Sequence, residues 1–301
     1  VKAYYSKLLL FGEYTIILGG QALALPLDRF SCHWTTEGDG AQSRTGLSKF
    51  FAYLQQLESR NWLHGALDLR RMEQDLRNGF FLQSNIPAGY GLGSSGALCA
   101  AVYDRYGLEK IDRTETARYP ELRRLLGLME SHFHGASSGV DPLICYLNQP
   151  VLIKTGAEIE RVSAALPARE AGMQFFLLDT QVPRQTGPLV ERFLQKCEDQ
   201  AYAQRVEMEL MPHVEAAIGL FLREQWPDLP DHLRTISRFQ WEYLREMIPP
   251  AWHAAWEAGL KSDRYTLKLC GAGGGGFLLG CARDAGRVSE ELGAGLELTW
   301  L

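Results

Sequence analysis

The segment Asn85–Ala97, NIPAGYGLGSSGA, constrains this chain more than any other. It joins a short strand-like run, GFFLQSN, to a small-residue helical pattern, SSGALCAAVYDRYG, through glycines at 91, 93 and 96 in a G-x-G-x-x-G pattern. Glycines let backbone amides approach an anion, and a helix start adds its partial positive charge. A dinucleotide site would need an acidic residue ending the next strand about 20 residues on, but the helix here runs into GLEKIDRTETARYP without an apolar strand. A Walker A loop needs Gly-Lys-Ser/Thr, and no lysine lies near Gly91. A protein kinase would follow an N-terminal loop with H-R-D and D-F-G, and neither occurs. Two readings remain: a triphosphate cradle with Ser94 and Ser95 as hydroxyl donors to a site, or a glycine-rich helix cap beside a crowded strand.

A chain of 301 residues with 46% hydrophobic content can bury one large core or two packed ones, and two lobes are expected. The 31 basic and 36 acidic residues, net charge -5, form no long run of either sign. Nucleic acid or an anionic membrane would need a concentrated basic face, so neither is expected as the main partner. No stretch reaches the roughly 18 to 20 apolar residues of a membrane span. The apolar start, VKAYYSKLLLFGEYTIILGG, is broken by Lys7, Glu13 and glycines, and reads as a buried strand pair rather than a leader. Six cysteines without C-x-x-C spacing suggest a reducing, cytoplasmic setting with no disulfides. His132 and His134, two apart on a helical pattern, point to different faces and read as ordinary helix-end histidines.

The pattern is α+β and begins with strands. YYSKLLLFG, QALALPL and FSCHWTTE read as separate strands, GLSKFFAYLQQLE and ALDLRRMEQDLR as helices, and PVLIKT as a further strand. The polar, poorly periodic stretch from Gly156 to Gly172 is the candidate lobe boundary, giving lobes 1–158 and 159–301. Beyond it come the strand MQFFLLDT, a long helical region from Pro188, and the strands YTLKLC and FLLGC around the run GAGGGG, which is too rigidly bracketed to be a linker.

Three charged residues stand out. Lys7 sits within an apolar strand, where a charge is costly unless paired, so a carboxylate partner is implied. Asp141 follows Gly139 and precedes Pro142, at the opening of a helix, where it serves either as a helix-start charge or as a positioned base. Glu130 lies eleven residues earlier on the preceding helix, free to face solvent or a metal. GASSG, 135–139, matches the G-x-S-x-G elbow with Ser137 as nucleophile, but a helical pattern precedes it where an elbow needs a strand.

Together SKLLLFGEYTIILGG, PAGYGLGSSGA, ESHFHGASSGVD and LKLCGAGGGG resemble, in order, the motifs of the GHMP small-molecule kinases. The resemblance implies an N-terminal lobe like ribosomal protein S5 domain 2 and a C-terminal ferredoxin-like lobe, with ATP and substrate between them. It implies nucleotide contacts at Pro87, Gly89, Gly91, Leu92, Gly93, Ser94, Ser95 and Gly96, and Mg²⁺ held by Ser95 and Glu130. Asp141 would take or orient the hydroxyl proton, with Lys7 paired to it and close to the transferring phosphoryl group. Glu13, Tyr14, Gly273 and Gly274 would lie near the substrate, joined by Arg184 and Thr186 of DTQVPRQT; Thr186 reads equally as a helix N-cap.

The HGASSGVD segment follows the mevalonate-phosphorylating branch. GEY and GLGSSGA resemble the branch acting on phosphomevalonate, and Tyr14, Ser137 and Cys270 depart from residues common in the first branch. The implied activity is ATP-dependent phosphorylation of a small hydroxylated carboxylate, with a small-molecule substrate as partner and a homodimer as the assembly to test. A non-catalytic nucleotide-binding protein on the same fold is the alternative class.

Overall fold

The computed structural model describes residues 1–183, 186–292, 296 and 298–301. The chain begins with β1 (Ala3–Phe11) and β2 (Ala22–Thr35), followed by α1 (Ala41–Ser59), α2 (Leu69–Arg77) and β3 (Phe81–Ser84). Then come α3 (Ser94–Tyr106), α4 (Tyr119–His134), α5 (Val140–Leu147), β4 (Val151–Ile153) and β5 (Ile159–Arg161). The remainder is β6 (Gln174–Asp179), α6 (Thr186–Cys197), α7 (Gln200–Arg205), α8 (Met211–Leu222), α9 (Leu229–Tyr243), α10 (His253–Lys261), β7 (Tyr265–Leu269), β8 (Phe277–Ala282), α11 (Ala285–Leu292) and β9 (Leu298–Trp300).

These elements form two compact units, each assembled from separated segments. The first comprises Val1–Leu8, Leu25–Pro87 and Leu92–Gln149; the second comprises Leu9–Ala24, Ala88–Gly91 and Pro150–Leu301. β2 corrects the expectation of two strands, since QALALPL and FSCHWTTE are one continuous element. Its residues Ala22–Ala24 pair antiparallel with β4, and Cys32–Thr35 pair antiparallel with β3. Pro26, which cannot donate to a ladder, falls between those two stretches. Within the expected boundary stretch lies β5, paired antiparallel with β4.

In the second unit the strands run in the order β7-β8-β6-β9, and the pairs β7–β8, β8–β6 and β6–β9 are all antiparallel. With helices between β6 and β7 and between β8 and β9, this is the split β-α-β arrangement of a ferredoxin-like lobe, as expected. Every residue of β7 and β8 is buried, which explains their continuous apolar runs.

In the first unit, α1 buries Leu47, Phe50, Leu54 and Leu57, the three-and-four spacing of one helix face. Asp68 caps α2 by accepting from the Arg71 amide at 3.0 Å. α4 starts with Pro120 in its first turn, where the missing N–H costs nothing. Its stretch from Arg123 to Glu130 lies against the turn that leads into α5. There Gly139 has φ +71°, and a Cβ on it would lie 2.0 Å from the Arg123 carbonyl oxygen. Gly135, with φ +73°, has open space around the same position.

Both glycines therefore carry a positive φ, but only Gly139 also has a steric demand. Gly135→Ala should cost roughly 1 kcal/mol of strain, and Gly139→Ala clearly more, about 2–3 kcal/mol or beyond. Urea unfolding of the two variants measures the difference, and equal losses would mean that the α4–α5 turn relaxes freely.

Candidate functional site

In the first unit the predicted residues converge around the start of α3. The Lys7 amide donates to the Leu92 carbonyl at 2.9 Å, tying β1 to the glycine loop. The Lys7 side chain passes over Gly93, where a Cβ would meet its Cγ at 2.9 Å. Gly93 occupies the N-cap of α3 in a left-handed conformation, with no side chain bonded to the helix start. The first-turn amides of Ser94, Ser95 and Gly96 therefore have neither an intrahelical acceptor nor a side-chain cap. Close packing of α5 explains Gly96: a Cβ there would lie 2.9 Å from Pro142 N and 3.0 Å from the Asp141 carbonyl carbon.

The partner that Lys7 requires is Asp141. Its Oδ2 lies 2.9 Å from Lys7 Nζ; the lysine side chain is 6% exposed and the aspartate side chain 40%. One end of the pair is sealed in the fold, and the other opens to solvent. Glu130 is buried rather than solvent-facing. Its Oε1 accepts from Ser95 Oγ at 2.8 Å, and its Oε2 from Ser137 Oγ at 2.5 Å. Burial pushes the Glu130 carboxyl above its ordinary range, the Asp141 carboxylate adds to that, and the two serine hydroxyls pull it back. His134 Nε2 lies 3.0 Å from Ser95 Oγ.

Hydroxyl and carboxylate oxygens are the hard donors that Mg²⁺ prefers, and it usually takes one or two carboxylates plus phosphates and water. Ser95 and Glu130 fit that requirement. Among the described residues there is no group of three or more His, Cys, Asp or Glu that could hold a metal.

The second unit gathers another set around the third glycine loop. Glu13 is buried, with Oε1 2.5 Å from Lys268 Nζ, and the same ammonium donates to the Leu269 carbonyl at 2.8 Å. The Gly271 backbone also bonds the Glu13 carboxylate. Burial drives that carboxyl upward against the pull of Lys268 and of the Gly271 amide. Tyr14, also buried, donates its hydroxyl to the Ala272 carbonyl at 2.6 Å. Gly274 N donates to Met247 O, and Gly276 N to Val182 O, each at 2.6 Å. A Cβ on Gly273 would lie 2.4 Å from that same Met247 oxygen. Glu13, Tyr14, Gly273 and Gly274, expected near the substrate, thus lie in one unit around the third glycine loop. Through these contacts they brace the loop.

Gly89 and Gly91 belong to this unit with Tyr90, whose ring packs edge-on against Phe277 at 5.1 Å. Pro87 lies in the first unit. Arg184 lies outside the described residues, and Thr186 opens α6.

Sequence reasoning missed His134, Ser137 and Lys268. Lys268 carried the same signal as Lys7, a charge inside an apolar strand. The two histidines do face different ways: His132 stacks near Phe50 and Tyr53, while His134 reaches Ser95. Ser137 follows a helix, so the elbow reading fails, and its hydroxyl is committed to Glu130. The dinucleotide reading fails too, since no strand follows α3 before α4.

The fold is that of the GHMP kinases. The L. major mevalonate kinase structure in complex with R-mevalonate matches with a TM-score of 0.63 at 16% identity, over 99% of this chain and 94% of that one. The Streptococcus pneumoniae phosphomevalonate kinase structure in complex with phosphomevalonate and AMPPNP matches with a TM-score of 0.62 at 16% identity, over 100% and 99%. Residues 61–149 of this chain match the family model described as GHMP kinases N terminal domain. Its curated relatives in sequence are mevalonate kinases, among them that of Thermococcus onnurineus, 29% identical over 164 residues, or 46% of this chain and 47% of the relative. The chain thus spans about half the length of the curated relatives it matches.

The sealed Glu13–Lys268 pair generates a stability test. Removing one partner leaves an uncompensated buried charge, so Glu13→Gln or Lys268→Met alone should cost about 3–5 kcal/mol. The double variant should lose less than the sum, and urea unfolding of all three supplies the cycle.

Proposed function

We propose that this chain is an ATP- and Mg²⁺-dependent kinase that phosphorylates the hydroxyl of mevalonate to give the 5-phosphate, as a step of isoprenoid precursor synthesis in the cytoplasm. The observation that carries the reading is the 2.9 Å Lys7–Asp141 pair in the same unit as the Ser95–Glu130 pair and the uncapped start of α3. Phosphoryl transfer to an alcohol needs little covalent help from a protein; it needs positioning and charge stabilisation.

Each residue supplies part of that. The amides of Ser94, Ser95 and Gly96 receive phosphate oxygens at the positive end of α3. Ser95 and Glu130 would hold Mg²⁺, which would offset phosphate charge when bound. Asp141 accepts the hydroxyl proton at its exposed carboxylate, and Lys7 holds that carboxylate in place while stabilising charge on the transferring group. Arg184 and Thr186 are proposed to assist in substrate binding. The mevalonate kinase relatives and the HGASSGVD segment support mevalonate as acceptor. The phosphomevalonate kinase neighbour, together with GEY and GLGSSGA, supports phosphomevalonate as the second reading. No helix among the described residues is long and apolar enough to cross a membrane.

An ADP-release assay over mevalonate, phosphomevalonate, galactose, homoserine and glycerate-like acids decides between the readings. Release with mevalonate is expected, and silence with every acceptor would favour a non-catalytic nucleotide binder. Asp141→Asn should keep nucleotide affinity and lose turnover by about 100-fold to 10,000-fold; unchanged turnover would remove the base assignment. Ser95→Ala and Glu130→Gln should each raise the Mg²⁺ concentration needed for half-maximal rate.

A further inference from the structure

The terminal torsion of a glutamate is broad and roughly two-fold, so a single hydrogen bond leaves its carboxylate free to turn. Glu130 is not left that freedom, because hydroxyls occupy both of its oxygens, Ser95 at Oε1 and Ser137 at Oε2. The Ser137 hydroxyl donates to Glu130 Oε2 at 2.5 Å. The same Ser137 oxygen accepts the Gly139 amide at 3.0 Å, a local turn closed by a serine side chain. Gly139 is the N-cap of α5, two residues before Asp141. One hydroxyl therefore joins the buried carboxylate on α4 to the turn that delivers Asp141.

We propose that Ser137 is a positioning residue for cation binding: it fixes the Glu130 carboxylate so that Oε1 stays beside Ser95 Oγ, and it holds that carboxylate in register with the Asp141 turn. The inference rests on the reading that Ser95 and Glu130 hold the divalent cation, and it adds a residue which that reading does not contain. His134 Nε2, at 3.0 Å from Ser95 Oγ, gives that hydroxyl a second partner beside Glu130. Groups that orient a metal ligand through a hydrogen bond typically govern affinity by 10–100-fold.

The test is a Mn²⁺ titration of the full chain with adenylyl imidodiphosphate, followed by electron paramagnetic resonance of free Mn²⁺, alongside a separate measurement of analogue binding without metal. Ser137→Ala should weaken Mn²⁺ about tenfold or more while metal-free analogue affinity stays the same. Ser137→Thr, which keeps the hydroxyl, should restore most of the loss. Wild-type Mn²⁺ affinity in Ser137→Ala overturns the proposal, even if its melting temperature falls, because that outcome marks a purely structural hydroxyl. Glu130→Gln separates the two levels of argument. If it binds Mn²⁺ as the wild type does, the cation reading itself fails and takes this inference with it. If it loses Mn²⁺ while Ser137→Ala does not, only the role of Ser137 is overturned.

Discussion

The close approach of α3 and α5 at Gly96 is the constraint on which the first unit's cluster of Lys7, Ser95 and Asp141 depends. With no side chain at that position, the backbone of Asp141 and Pro142 can lie against the first turn of α3. Two helix starts are thereby brought side by side, one carrying Ser94 and Ser95 and the other Asp141. Lys7 reaches both because its strand is hydrogen-bonded to the residue just before the α3 N-cap. A larger residue at 96 would push α5 outward and loosen the Lys7–Asp141 pair without touching either side chain.

The two buried lysines illustrate how similar local sequences serve different ends. Lys7 pairs with a carboxylate that remains partly open to water, so its partner can still meet a ligand. Lys268 pairs with a carboxylate sealed on all sides, and the pair spends its remaining hydrogen bonds on the adjoining backbone. Exposure of the acidic partner separates a group able to do chemistry from one that holds a loop. Burying both charges is expensive, and only close geometry and added hydrogen bonds offset that cost.

Much of this was legible from residue order. Periodicity located most helices and strands, although the expected N-terminal strand pair is one strand followed by a 3-10 turn at Thr15–Leu18; the apolar setting of Lys7 required a carboxylate partner, which the structure supplies as Asp141. The ferredoxin-like order of β7-β8-β6-β9 likewise matches its expectation. What could not be read was side-chain direction over long sequence separations. Nothing local to Glu13 announces that its partner lies 255 positions away, nor that Tyr14 would spend its hydroxyl on Ala272. Ser137 was obscured for another reason, since G-x-S-x-G invites a nucleophile reading while the preceding helix turns its hydroxyl toward Glu130. The continuity of β2 was hidden by Pro26, because a proline normally argues against a strand interior.

The sealed pair of Glu13 and Lys268 also bears on how this chain can diverge. Neither position can drift alone without stranding a charge in the interior, so changes at one should be accompanied by changes at the other across descendants. The two sites, distant in sequence, form a single inherited unit, and a lineage that replaced both with apolar residues would have to find new support for the backbone at Gly271.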